Sequence, residues 1–181
     1  MDHFYILTGG PGSGKTTLLN GLKTHGYQHS QEAGRHIIQD QVKIGGKALP
    51  WLDPACFAEM MLSWEMRSHL LASETASERP YFFDRGMADI AGYLALSSIP
   101  VPDHVHQAVQ QYAYNKTVFI APHWPEIYQG DEERKQSADE AERTFDMMVQ
   151  TYQAYGFTLR ELPKADVETR VAFVLGQIDK K

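Results

Sequence analysis

The sequence holds one cysteine, Cys56, in 181 residues. A lone thiol closes no internal disulfide, which excludes a disulfide-stapled scaffold and points to a reducing, cytoplasmic compartment. No apolar run reaches the roughly 18 residues that a membrane helix needs, so no membrane segment is expected. Positive charge is also in short supply: 17 Lys and Arg stand against 23 Asp and Glu, a formal net charge of −6. Nucleic-acid surfaces are built from basic patches, so a nucleic-acid partner is not expected either. The first residues run straight into an apolar stretch and a glycine loop, so no signal peptide is expected. Repeats, linkers and low-complexity segments are missing. The remaining composition, 43% apolar and 22% charged, suits a single domain over the whole chain with a sizeable core.

What is present is organised around Gly9-Gly10-Pro11-Gly12-Ser13-Gly14-Lys15-Thr16. This fits G-x-x-x-x-G-K-[ST], the phosphate-binding loop, or P-loop, of nucleotide enzymes. Glycines let the backbone curl so that several N–H groups converge on one anion. Gly10, Pro11, Gly12, Ser13, Gly14, Lys15, Thr16 and Thr17 are therefore the expected nucleotide-binding residues. Lys15 is expected to reach the β- and γ-phosphates and Thr16 to sit on Mg²⁺. The context agrees. The apolar run 4–8 precedes the loop and reads as a buried parallel strand. A helix follows it and brings its positive end to the same anion.

Further along, a short second strand is expected near 26–30. Glu32 then stands close to its C-terminal end, the side of an open α/β sheet where ligands bind. That makes Glu32 a candidate for the acceptor or its proton, although an acid at a helix start paired with Arg35 at i+3 has a sufficient local reason to be there. Asp53-Pro54 starts a helix running to about 73, with Asp as cap and Pro at the first helical position. Its Met and aromatic positions read as core, including Trp64.

The run 80–84 reads as a buried strand ending in Asp84-Arg85-Gly86. A carboxylate at the end of such a strand is where P-loop enzymes hold Mg²⁺. Arg85 beside it is suited to clamp a substrate. Helices are expected over 89–97 and from a cap at Asp103 to 112, with a fourth strand at 116–121. His104, His106 and His123 lack metal-ligand spacing. A charged run at 131–136 leads into Ser137-Ala138-Asp139-Glu140, a capping box. Arg134 in that loop and Arg143 in the helix are expected on a short lid, about 124–143, over the transferring phosphoryl group. A fifth strand within 156–163 and a last helix capped by Asp166 complete the pattern. Lys164-Ala165 marks the expected place of the base.

Five strands alternating with helices imply a three-layer α/β/α P-loop fold with a five-stranded parallel sheet, kinase-like with a short lid. A mechanical ATPase would carry Asp-Glu at the second motif, the Glu orienting water, whereas Asp84 is followed by Arg85. The Asn-Lys-x-Asp element of GTPases is missing as well.

The ordered set of P-loop, Glu32-Ala33-Gly34-Arg35, Leu49-Pro50-Trp51, Phe83-Asp84-Arg85-Gly86, Arg134, Glu140-Ala141, Gly156 and Val167-Glu168-Thr169-Arg170-Val171 resembles a small bacterial P-loop family labelled predicted ATPase (AAA_28-like), related to the ribosylnicotinamide kinase domain. The Asp-Arg pair also resembles that of thymidylate and deoxynucleoside kinases. The resemblance favours roles for Glu32, Arg35, Arg134 and Arg143. The expected activity is ATP-dependent phosphoryl transfer to a nucleoside, nucleotide or similar metabolite. Lys15, Asp84, Arg134, Arg143 and Glu32 would be catalytic; Glu32, Arg35 and Arg85 would hold the acceptor; Thr16 and Asp84 would hold Mg²⁺. The alternatives are an ATPase or nucleotide-gated switch acting on a protein partner, and a nucleotide-binding module without catalysis.

Overall fold

Every residue of Phe4–Gly9, strand β1, is buried, as a parallel strand covered on both faces must be. Its side chains alternate between two cores. Phe4 and Ile6 face one, while Tyr5 and Leu7 face the other. A computed structural model describes residues 2–75, 79–127 and 138–178. Around β1 it places β2 (Gln28–His29), β3 (Tyr81–Asp84), β4 (Thr117–Ala121) and β5 (Thr158–Glu161). All neighbouring strands are parallel, in the order β2-β3-β1-β4-β5.

Helices α1 (Lys15–Thr24) and α7 (Val167–Ile178) cover one face, their Leu18, Leu22, Val171 and Val174 packing on Leu7, Phe82 and Phe119. The other face carries α2 (Ala33–Ile44), α3 (Pro54–Glu74), α4 (Met87–Leu96), α5 (Asp103–Gln111) and α6 (Ala138–Ala154), packed on Phe4, Ile6, Phe83, Val118 and Ile120. This is the expected three-layer fold with a five-stranded parallel sheet. Among the described residues no helix is long and apolar enough to cross a membrane.

The expected helix punctuation mostly holds. Asp53 Oδ1 accepts from Cys56 N at 2.9 Å, and Asp166 Oδ1 accepts from Thr169 N at 2.8 Å. Pro102, not Asp103, is the cap of α5. Asp103 joins the first turn, where its charge faces the positive end of the helix. The expected cap Ser137 lies outside the described residues. The second strand is only two residues long at the sheet edge, but the pairing is prolonged by Ser30. Its N–H donates to Phe82 O at 2.9 Å, and its Oγ accepts from Asp84 N at 2.9 Å. The ends of β2 and β3 are thereby held together beside β1, where the P-loop begins.

Candidate active site

The strand order sets the location. The chain leaves β1 for β2 and β3 on one side and later places β4 on the other, so the C-terminal end of β1 opens into a crevice between diverging connections. The P-loop fills the mouth of that crevice. Gly14 has φ +78°, and a Cβ there would stand 2.6 Å from Arg170 Nη1. Gly10 is needed for another reason: a Cβ on it would stand 2.7 Å from Ala141 O, so glycine lets α6 close onto the loop.

The loop is braced from inside. Ser13 Oγ donates to Gly10 O at 2.7 Å. Lys15 Nζ donates to Gly10 O at 2.7 Å, to Gly9 O at 3.2 Å and to Ser13 Oγ at 3.3 Å. Next to it lies a cleft of about 590 Å³ lined by residues 11–18 of the loop and α1, Glu32 and Arg35 of the α2 start, Trp124 and Ile127 after β4, and Ala165, Asp166, Val167 and Arg170 around the α7 start. That volume suits a nucleotide-sized ligand.

Beside the same loop, and sharing Glu32 with the cleft, stands a knot of charge. Arg85, which follows β3, holds a left-handed backbone with φ +78°, a conformation that costs on the order of 1 kcal/mol or more for a side chain with a Cβ. The conformation turns its guanidinium back over the sheet end. Nε lies 3.4 Å from Glu32 Oε1, and Nη1 donates to Gly9 O at 3.1 Å and to Asp89 Oδ1 at 3.3 Å. Burial pulls the guanidinium down, but Glu32, Asp89 and Asp84 outweigh it and hold the group firmly charged.

Asp89, buried in the first turn of α4, also accepts from Thr8 Oγ1, from Gly86 N at 2.9 Å and from Tyr152 Oη on α6. Asp84 is only 4% exposed, and among the described residues its Oδ1 has no hydrogen-bond partner. Burial, joined by the charge of Glu32, pushes its carboxyl up to about 6, against the pull of Lys15 and Arg85. Deeper on α3, Glu65 is buried with Oε2 likewise unpartnered. Burial, then the charges of Asp89 and Asp84, holds its proton well above the usual range.

The structure thus brings together most of the residues singled out in the sequence. Residues 11–17, Glu32 and Arg35 line the cleft, and the P-loop meets Arg85 through Gly9 O. Glu32 stands at the start of α2 with Arg35 Nε 3.9 Å from its carboxylate, the expected local pairing, and it also faces Arg85 across the sheet end, a contact the sequence did not indicate. Ala165 lines the cleft, while Lys164 does not. Arg143 is exposed on α6 and is not among the lining residues. Arg134 lies outside the described residues. Among the described residues no group of three or more His, Cys, Asp and Glu is arranged to hold a metal ion. The oxygens that would hold Mg²⁺ are Asp84 Oδ1, without a hydrogen-bond partner among the described residues, and the Thr16 hydroxyl; both are hard oxygen donors of the kind used by a cation bound chiefly through phosphates and water.

Three side chains were given no role from the sequence: Asp89, Glu65 and Arg170, the last named only within the stretch that carries the family resemblance. Arg170 is 3% exposed and donates from Nη1 to Ser13 O at 3.1 Å. The available signal was a cation three residues after Val167 and four before Val174, inside the apolar stripe of its helix.

Comparison with known proteins agrees with this architecture. Among solved structures, the chain is similar to deoxyadenosine kinase from M. mycoides with products dCMP and a flexible dCDP bound, at TM-score 0.68 and 15% identity, covering 98% of this chain and 100% of that one. The dATP-bound form of that kinase gives TM-score 0.57 at 14% identity over the same shares. Thymidylate kinase from Ehrlichia chaffeensis gives 0.66 at 13%, over 98% of each chain. At such identities the likeness is one of fold, and the fold is that of kinase-like P-loop proteins. No curated protein matches the sequence. Residues 4–170 match the profile of an AAA domain family, AAA_28. With most of its length inside that match, the chain belongs to the AAA_28 family of P-loop AAA domains.

Proposed function

We propose that the protein is a phosphotransferase that moves the γ-phosphoryl group of ATP to a hydroxyl of a nucleoside, nucleotide or similar small metabolite. The observation that carries this reading is the buried Arg85 bridge. It ties the P-loop carbonyl of Gly9 to Glu32, an acid that lines the cleft. No acid follows Asp84 to orient a hydrolytic water. Instead, a carboxylate is fixed across the phosphate loop, where an acceptor hydroxyl would stand. The structural neighbours, a deoxyadenosine kinase and a thymidylate kinase, are enzymes of the same reaction class.

In this reading residues 10–17 cradle the phosphates, and phosphate oxygens replace the loop carbonyls as partners of Lys15. Thr16 and Asp84 would hold Mg²⁺, which when bound neutralises charge on the phosphate chain. The acceptor oxygen forms the new P–O bond while the β–γ bridging oxygen departs with ADP, and the hydroxyl proton passes to Glu32. Arg85 positions that carboxylate, and Arg35 contributes to the acceptor side. Arg134 and Arg143 belong to the lid in this proposal and would stabilise the moving phosphoryl group. Catalysis is by placement and electrostatics.

The test is incubation with ATP, Mg²⁺ and pooled nucleosides, nucleotides and sugars, followed by mass spectrometry. A new phosphorylated acceptor matched by ADP is expected. ADP with free phosphate only, unchanged by every pool, would favour the ATPase or switch alternative.

A further inference from the structure

Arg170 presents an electrostatic imbalance that the P-loop motif does not account for. Its guanidinium is buried, and only Nη1 is used, on Ser13 O. Among the described residues Nε and Nη2 have no hydrogen-bond partner. These two nitrogens share one edge of the planar group, the side-on fork that takes two oxygens at once. Trp124 covers the guanidinium with its ring centroid 5.8 Å from Cζ. Among the described residues no carboxylate offsets the charge, and burial alone pulls the group down. An unpaired buried cation is costly to a fold, and this one borders the nucleotide cleft.

We propose that Arg170 is a phosphate-binding residue for the donor nucleotide, its Nε and Nη2 donating to two oxygens of the phosphate chain. The inference rests on the proposed nucleotide cleft and extends it beyond the loop motif. Phosphate is favoured over base on three grounds. A base is neutral and leaves the charge unbalanced. The anchor on Ser13 O holds the guanidinium against the phosphate loop itself. Each hydrogen-bonding edge of adenine that carries the amino group sets a donor beside an acceptor, so it does not match a two-donor fork. Arg170 thereby stores an unfavourable charge in the empty protein that the nucleotide's own charge relieves.

Calorimetric titration of the full chain tests this, using inorganic tripolyphosphate and a β,γ-imido ATP analogue as probes. Wild type is expected to bind both. Arg170→Met is expected to weaken both in the same proportion, by roughly 10- to 100-fold, while the melting temperature of the empty variant equals or exceeds that of wild type. Arg170→Lys keeps the charge and one donor for Ser13 O but loses the fork, so it should remain at least fivefold weaker than wild type.

Unchanged tripolyphosphate binding in Arg170→Met overturns the proposal. Loss of the analogue with tripolyphosphate retained also overturns it, because the contact is then to base or ribose. If Arg170→Met melts lower, Arg170→Lys decides. Full recovery of binding makes the residue a strut for the loop, and persistent weakness supports the fork. Wild type that binds neither probe would instead remove the nucleotide-binding reading itself.

Discussion

Two charged clusters beside the P-loop stand in opposite states of completion. Around one, Arg85 meets Glu32, Asp89 and Gly9 O, and Asp89 accepts four hydrogen bonds. Around the other, Arg170 keeps two nitrogens without a hydrogen-bond partner among the described residues, and Asp84 keeps one oxygen so. A closed network fixes geometry before any ligand arrives, as an acceptor hydroxyl requires for an aligned transfer. An open one gains most when an anion arrives. The difference teaches where binding energy is to be gained and where preorganisation is already built.

The sharpest way to break the comparison is Arg85→Ala. Removing the centre of the closed cluster leaves Glu32 and Asp89 without their cation. It should cost about 3–5 kcal/mol of stability in urea unfolding, the penalty for uncovering buried charge. A loss under about 1 kcal/mol would mean that the network contributes little to the fold.

Next comes Lys15→Ala in the P-loop itself. It should lower ATP turnover at least about a hundredfold, the scale of losing one charge-stabilising donor, while near-ultraviolet circular dichroism stays as in wild type. Full turnover in the variant would remove the site assignment.

Glu65→Gln is the smallest perturbation. The folded protein holds the Glu65 proton more tightly than the unfolded chain does, so its contribution to stability falls as pH rises from the ordinary glutamate range toward the folded value. The charged groups acting on it are Asp89, Asp84 and Glu32 on one side of the balance and Arg85 on the other. Tyr81 and Tyr114 feel its charge in turn, and the neighbouring His69 is pushed toward neutrality by its own burial. Between about pH 5 and pH 8 wild type should lose roughly 1–3 kcal/mol more than the variant, the scale of one buried polar group without a partner. Parallel pH profiles of the two proteins would contradict this.

How much of this was legible in the sequence depended on whether a residue's task is local. The P-loop, the buried strands and the Asp53 and Asp166 caps are read from neighbours within a few positions, and all appear in the structure. Asp84 is legible because the strand before it is short and apolar. Asp89 was hidden because three positions into a helix an acid has a sufficient local explanation, whereas its partners Thr8 and Tyr152 come from distant elements. Glu65 and Arg170 interrupt apolar helical stripes. Periodicity assigns those stripes to core and does not say which polar member is left unpaired. Arg85 reads from the sequence as a substrate clamp beside a strand end. In the folded chain its Nε and Nη1 turn to Glu32, Asp89 and Gly9 O, contacts made mostly with distant elements, and for that reason the proposal gives it a positioning role.

The central claim, transfer of a phosphoryl group to a hydroxyl acceptor and not to water, is tested most directly by following the reaction in heavy-oxygen water by phosphorus NMR. With ATP, Mg²⁺ and the acceptor pool, the account predicts a new phosphate ester without heavy oxygen, formed in step with ADP. Free phosphate carrying solvent oxygen as the sole product, at a rate that no acceptor changes, would contradict it.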